Sequence, residues 1–348
     1  MRSIEIPLPD EGVEREARRR LDGLVKPVGA LGRLEELAAW LCAAHGSVPP
    51  RPLDDVRVVV FAGDHGVTRP KPGAPGVSAY PREVTAAMLR TFLSGKSGVT
   101  VLARQVGARV RVLDIAVDVD LEDVPSEVRA FKVRHGSGSI DTEDALEPGE
   151  AERAFAAGRA VADEEIDAGA QVLIPGDMGI GNSTVAAALV AASLGLPANE
   201  VVGTGTGVDE EGLARKLAVL DAALARVGDR AEEPMSLVTA LGSACAAATA
   251  GFVLQAAARA TPVILDGVFS CAAALVARDI APTATKWWLA GHRSTEPAQS
   301  HALKALGLEP VLDLGLRLGE GSGAVQAVPV LRAARAALAD MGDLADLT

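Results

Sequence analysis

One phrase recurs along this 348-residue chain and constrains its fold more than any other feature: a short apolar run, a glycine-rich polar loop, then a segment fit for a helix. Arg57-Val58-Val59-Val60-Phe61 opens the series and ends in Ala62-Gly63-Asp64-His65-Gly66. A β-branched run without alternation is what a strand buried on both faces requires. The same reading predicts strands at residues 109–117, 171–175, 200–202, 262–265, 287–290 and 316–318. Strands alternating with helices at this spacing predict an α/β fold, with a mostly parallel sheet covered by helices on both faces. Right-handed crossovers then gather the strand-to-helix loops at the carboxyl edge of the sheet, where a ligand site is expected. Helical periodicity is also read at 11–24 and 33–45, parted by a proline and two glycines at Pro27, Gly29 and Gly32, and in an alanine-rich segment at 324–341. The acidic stretch 140–155, with Pro148 and Gly149, reads as an exposed connection.

Composition narrows the function. With 64 alanines, 36 glycines and only 3% aromatic residues, the core must be built from small side chains and closely approaching helices. A net charge of −12 argues against nucleic-acid binding, since neutralising phosphates along a groove needs a basic surface. No apolar run reaches the roughly 18 residues a membrane span needs, and residues 1–10 lack the apolar centre of a signal peptide. Cys42, Cys245 and Cys271 are far apart and set among alanines and valines, so they read as buried, reduced residues of a cytoplasmic protein.

Two glycine loops are the strongest local signals. In Gly176 to Thr184 the glycines at 176, 179 and 181 let backbone approach an anion, and the following helix points its free N–H groups at the same place. Asn182, Ser183 and Thr184 either cap that helix and contact phosphate oxygens, or form a tight capped turn with no ligand. Gly203, Gly205 and Gly207 repeat the theme, with Asp209 as the N-cap and Lys216 two turns on as a charge partner for phosphate. Neither loop has dinucleotide spacing, and no Gly-Lys-Ser or Gly-Lys-Thr follows either. Glu320, between Gly319 and Gly321, is either a carboxylate presented into a cleft as a proton acceptor or a helix-start acid facing the dipole. Asp64 and His65 read as metal ligands or a catalytic pair, and His292 with Arg293 as a holder of carboxylate or phosphate; the alternative is that His65 and His292 hydrogen-bond loop backbones and fix their shape. The five histidines have no ligand spacing and the cysteines do not pair, so no metal and no cofactor is expected.

Taken together, the stretches 26–35, 61–67, 76–81, 176–184, 203–209, 291–297 and 312–323 resemble, in order, the nicotinate-nucleotide:dimethylbenzimidazole phosphoribosyltransferase family of the cobalamin lower-ligand pathway. The resemblance implies a Rossmann-like, doubly wound large domain at 51–323, and a small helical domain made from residues 1–50 with the C-terminal segment 324–348. It also implies a homodimer whose partner chain helps complete each site. The implied reaction moves the 5-phosphoribosyl group of nicotinate mononucleotide to 5,6-dimethylbenzimidazole, with Glu320 as the base. It further implies that the Gly176 and Gly203 loops with Lys216 hold the nucleotide phosphate, that Asp177 lies near nicotinate and ribose, and that Ser78 and Tyr80 line the benzimidazole pocket. Where many relatives carry a glutamine facing the base, this chain has Ala87. Two other readings stay open: a related transferase or hydrolase using another base or water, and a catalytically silent protein that binds a nucleotide or benzimidazole.

Overall fold

The structure, a computed structural model, describes residues 4–70 and 76–347. Residues 1–3, 71–75 and 348, which fall within the expected domains, lie outside the described residues. Strands β1 (Val56–Gly63), β2 (Arg109–Ala116), β3 (Val172–Met178), β4 (Val263–Leu265), β5 (Trp288–His292) and β6 (Pro310–Leu312) form one sheet in the order β2-β1-β3-β4-β5-β6. Every neighbouring pair is parallel. All eight residues of β1 are buried, which is why its sequence carries no polar alternation.

The two faces of the sheet feed two separate apolar clusters. Val59 and Phe61 belong to the first, with residues of the helices Glu150–Asp167, Asn182–Leu194, Ala244–Ala258 and Val268–Ile280. Val56, Val58 and Val60 point to the second, shared with the helices Glu11–Gly23, Arg33–His45, Gly98–Gln105 and Ser322–Asp340. The sheet is therefore doubly wound. The chain leaves β1 toward β2 on one side and crosses to β3 on the other, so the strand order reverses between β1 and β3. A crevice at such a reversal is where doubly wound sheets bind ligands.

Two expected strands are not strands. Residues 200–202 lie at the end of a short helix, Ala198–Val201, which Pro197 precedes with extended backbone; one helical turn is enough to bury Val201 completely. Residues 316–318 are loop. Gly315 and Gly319 on either side take left-handed backbone at φ 65° and 78°, which a strand cannot include, and the edge strand is instead β6. The expected exposed connection at 140–155 is also corrected. Ile140, Ala145 and Leu146 are buried, because the backbone N–H groups of Ala145 and Leu146 donate to Ala240 and Thr239 at 3.3 and 3.1 Å. From Glu150 onward the segment is helix.

Candidate active site

The carboxyl edge of the sheet brings together the loops after β1, β3, β4, β5 and β6. Closest approach is made by glycine. A Cβ on Gly179 would lie 2.0 Å from the carbonyl oxygen of Gly63, and one on Gly181 would strike Thr68, so the loops after β1 and β3 touch backbone to backbone or nearly so. Gly176, expected to face phosphate, lies within β3, where its missing Cβ makes room for the Glu320 carbonyl, 2.4 Å from where that atom would be.

Glu320 is the centre of this arrangement. It is 3% exposed, at the start of the helix Ser322–Asp340, with φ +65° between Gly319 at +78° and Gly321 at +91°. Its Oε2 accepts the Val99 N–H at 2.9 Å, near the N-terminus of the helix Gly98–Gln105. So the carboxylate does face a helix start, but that of another helix. Burial raises its pKa, the Val99 N–H lowers it, and the Asp266 charge raises it again; the balance lies above the ordinary glutamate value. Its Oε1 takes no hydrogen bond from the described residues.

Asp177, at the carboxyl end of β3, is buried and accepts from the Asn182 side chain. Burial pushes its pKa up to about 7; the Asn182 hydrogen bond opposes this and the charges of Asp266 and Glu320 add to it. Both buried carboxyl groups are thus more basic than free carboxylates, which suits this edge to proton transfer. In the adjoining helix, Asn182 and Ser183 are half-buried, whereas Thr184 is fully buried with its hydroxyl unpartnered.

The Gly203–Asp209 loop is held from beneath. Glu296 accepts the Gly205 N–H at 2.8 Å, and a Cβ on Gly203 would run into the same carboxylate. Lys216 is 2% exposed; its Nζ donates to the Gly203 carbonyl and to Ser183 Oγ, 3.2 Å away, tying the two glycine loops together. Burial pushes the Lys216 pKa down, against the pull of Glu296. The lysine expected as a free phosphate partner thus also fastens the loop. Above the loop, Arg317 donates to the Gly205 carbonyl at 2.9 Å, with its guanidinium 3.7 Å from where a Cβ on Gly207 would stand. Thr206 Oγ1 accepts the Ala79 N–H at 3.3 Å, which brings Ser78 and the exposed Tyr80 to the same rim. Ala87 is exposed on the helix Val84–Leu93.

His65, His292 and Asp64 are buried beneath this rim. Asp64 accepts the Asp118 N–H at 2.9 Å, the His65 ring meets Phe269 edge-on, and burial lowers the His65 pKa to about 4. The His65 Nδ1 and both ring nitrogens of His292 have no hydrogen-bond partner among the described residues, so the loop-fixing hydrogen bonds expected of the two rings are not seen at these atoms. Among the described residues no group of three His, Cys, Asp or Glu side chains is arranged to hold a metal, and no helix is long and apolar enough to cross a membrane. Sequence reading missed Asp266, Arg317 and the structural part played by Glu296. Of these Glu296 and Arg317 carried a signal, as part of the 291–297 and 312–323 stretches.

Residues 6–347 match the family described as Phosphoribosyltransferase. The chain is 54% identical over 326 residues to nicotinate-nucleotide–dimethylbenzimidazole phosphoribosyltransferase of Mycolicibacterium paratuberculosis, covering 94% of this chain and 91% of that protein. It is 53% identical over 329 residues to the protein of that name from Mycobacterium tuberculosis, covering 94% and 89%. Among solved structures it resembles CobT from Thermus thermophilus, with a TM-score of 0.90, 45% identity, and 97% and 98% of the two chains covered.

Proposed function

The chain belongs to this phosphoribosyltransferase family, and from that premise we propose that it is a pentosyltransferase moving the 5-phosphoribosyl group of nicotinate mononucleotide to 5,6-dimethylbenzimidazole. The products are α-ribazole 5′-phosphate and nicotinate, and the reaction serves assembly of the cobalamin nucleotide loop. The observation that carries this reading is the buried Glu320, with one oxygen held by Val99 and its basicity raised above that of a free glutamate.

One benzimidazole nitrogen attacks the ribosyl anomeric carbon while the other loses its proton to Glu320, and a positioned carboxylate whose basicity burial has raised suits that transfer. The bond from that carbon to the nicotinate ring nitrogen breaks, its electrons discharge the pyridinium, and the leaving group departs neutral at that nitrogen. Little acid catalysis is needed, so positioning and electrostatics dominate. In this reading the glycine loops with Asn182, Ser183, Thr184 and Lys216 hold the phosphate. Asp177 lies by nicotinate and ribose, and Ser78 and Tyr80 receive the acceptor base. The short side chain of Ala87 widens the choice of base. The protein works in the cytoplasm as a homodimer, with residues 1–50 and 324–348 forming the small helical domain.

The test is product analysis by mass after mixing the protein with nicotinate mononucleotide, with and without dimethylbenzimidazole. A base-dependent product of the mass of α-ribazole phosphate is expected. Nicotinate released equally without base would make the protein a hydrolase, and binding without any turnover would make it a binding protein.

A further inference from the structure

We propose that Asp266 is a positioning residue for Glu320, its two carboxylate oxygens clamping the left-handed turn that presents the catalytic side chain. The inference rests on the reading of Glu320 as the base. Asp266 directly follows β4 and is fully buried. Its Oδ2 accepts the Gly321 N–H at 3.1 Å and its Oδ1 accepts the Ala324 N–H at 2.9 Å, so one carboxylate spans the residue after Glu320 and the first turn of the helix.

The clamp has something to hold. Residues 319–321 all have positive φ; two are glycines, but Glu320 carries a Cβ in a region that L-residues resist. Released, residue 320 would relax toward right-handed backbone and carry its carboxylate away from the Val99 N–H. A carboxylate at a helix N-terminus favours the opposite outcome, because the free N–H groups and the dipole both attract it.

Asp266 is itself immobilised. Its N–H donates to Ser270 Oγ at 2.9 Å and its carbonyl accepts from Gln299 Nε2 at 2.9 Å. The same Gln299 Nε2 donates to the His292 carbonyl, and His292 Nε2 lies 3.3 Å from Asp266 Oδ1. The His292 ring in turn fills the space a Cβ on Gly323 would need, 2.0 Å from that position. The ends of β4 and β5 and the helix start are thus fastened to one another around Asp266.

Groups of three kinds face Glu320. Asp266 comes from the end of β4 and Asp177 from the end of β3, both acidic; the Val99 N–H comes from the helix Gly98–Gln105, and His292 stands behind Asp266.

The experiment is Asp266→Asn, compared with wild type in steady-state kinetics across pH 4.5 to 9. A fall in kcat of about 10- to 100-fold is expected, with KM for nicotinate mononucleotide within about twofold. In a Glu320→Ala background the same change should lower residual turnover no further. Unchanged kcat overturns the proposal, as does an equal fall in both backgrounds, which would mark Asp266 as merely structural. Should Asp266→Asn fail to fold, Asp266→Glu keeps the charge and both oxygens one methylene out of place. It is expected to lower kcat, and wild-type kcat would overturn the clamp. Full turnover by Glu320→Ala alone would instead sink the reading of Glu320 as base, whatever the Asp266 variants do.

Discussion

At the scale of single residues, Glu320 shows chemistry set against stability. It is a buried carboxylate with another acid nearby, on a backbone at φ +65° that favours glycine. Both costs are specific to this side chain and can be separated. Glu320→Ala and Glu320→Gly each delete the carboxylate, so both should lose about 10²- to 10⁴-fold in turnover, the usual contribution of one positioned acid–base group. They differ in backbone: alanine keeps the left-handed strain, roughly 1–2 kcal/mol for a residue with a Cβ, and glycine does not. Thermal unfolding should therefore show the glycine variant melting above the alanine variant. Equal melting points would mean that the turn stores no strain.

At the scale of elements, the end of β3 and the helix that follows share a buried acid whose protonation couples to folding. Asp177 has its pKa raised from 3.8 to about 7, chiefly by burial. The folded chain then binds this proton more tightly than the unfolded chain. Its stabilising effect is full below about pH 4 and is lost as pH rises through about 7. Asp177→Asn removes that dependence, so the melting temperature of the variant relative to wild type should climb between pH 5 and pH 8. A difference that stays flat over that range would show that Asp177 ionises normally.

How far such elements could be read from sequence varies for physical reasons. β1 and β3 were legible because a strand buried on both faces must be a continuous apolar run. The 200–202 and 316–318 segments misled because three residues with two apolar side chains among them carry no period, and only the flanking Pro197, Gly315 and Gly319 argue against a strand there. Glu320 was legible through its two flanking glycines. Asp266 was not, since an aspartate after a strand is ordinary until the helix start it clamps, more than fifty positions on, is folded against it. Gly176 was legible as a close-approach glycine, yet what approaches it is the Glu320 backbone.

At the scale of the whole molecule, the shortage of aromatic side chains and the wealth of alanine and glycine become a statement about distances between helices. Phe61 meets Phe252 edge-on with ring centroids 5.4 Å apart, the one aromatic pair of phenylalanines in contact among the described residues. Elsewhere backbones approach each other directly. The helices Glu150–Asp167 and Ala244–Ala258 cross so tightly that a Cβ on Gly158 would lie 1.8 Å from the Ala248 carbonyl oxygen, and one on Gly251 would lie 2.1 Å from that of Phe155. Gly158→Ala therefore sets two effects against each other. Alanine is the better helix former by about 1 kcal/mol, so the isolated helix would gain. In the folded protein neither backbone oxygen can swing aside as a side chain would, so the two helices must part along their whole contact, and overpacking of this kind costs about 1–3 kcal/mol. Packing wins at such a separation, and the variant should melt below wild type. Because Gly158 belongs to a helix that contributes none of the candidate site residues, turnover well below the melting temperature should be largely kept. A variant that melted higher would mean that the helix pair is looser than this crossing, and that the small residues of the core reflect composition and not contact.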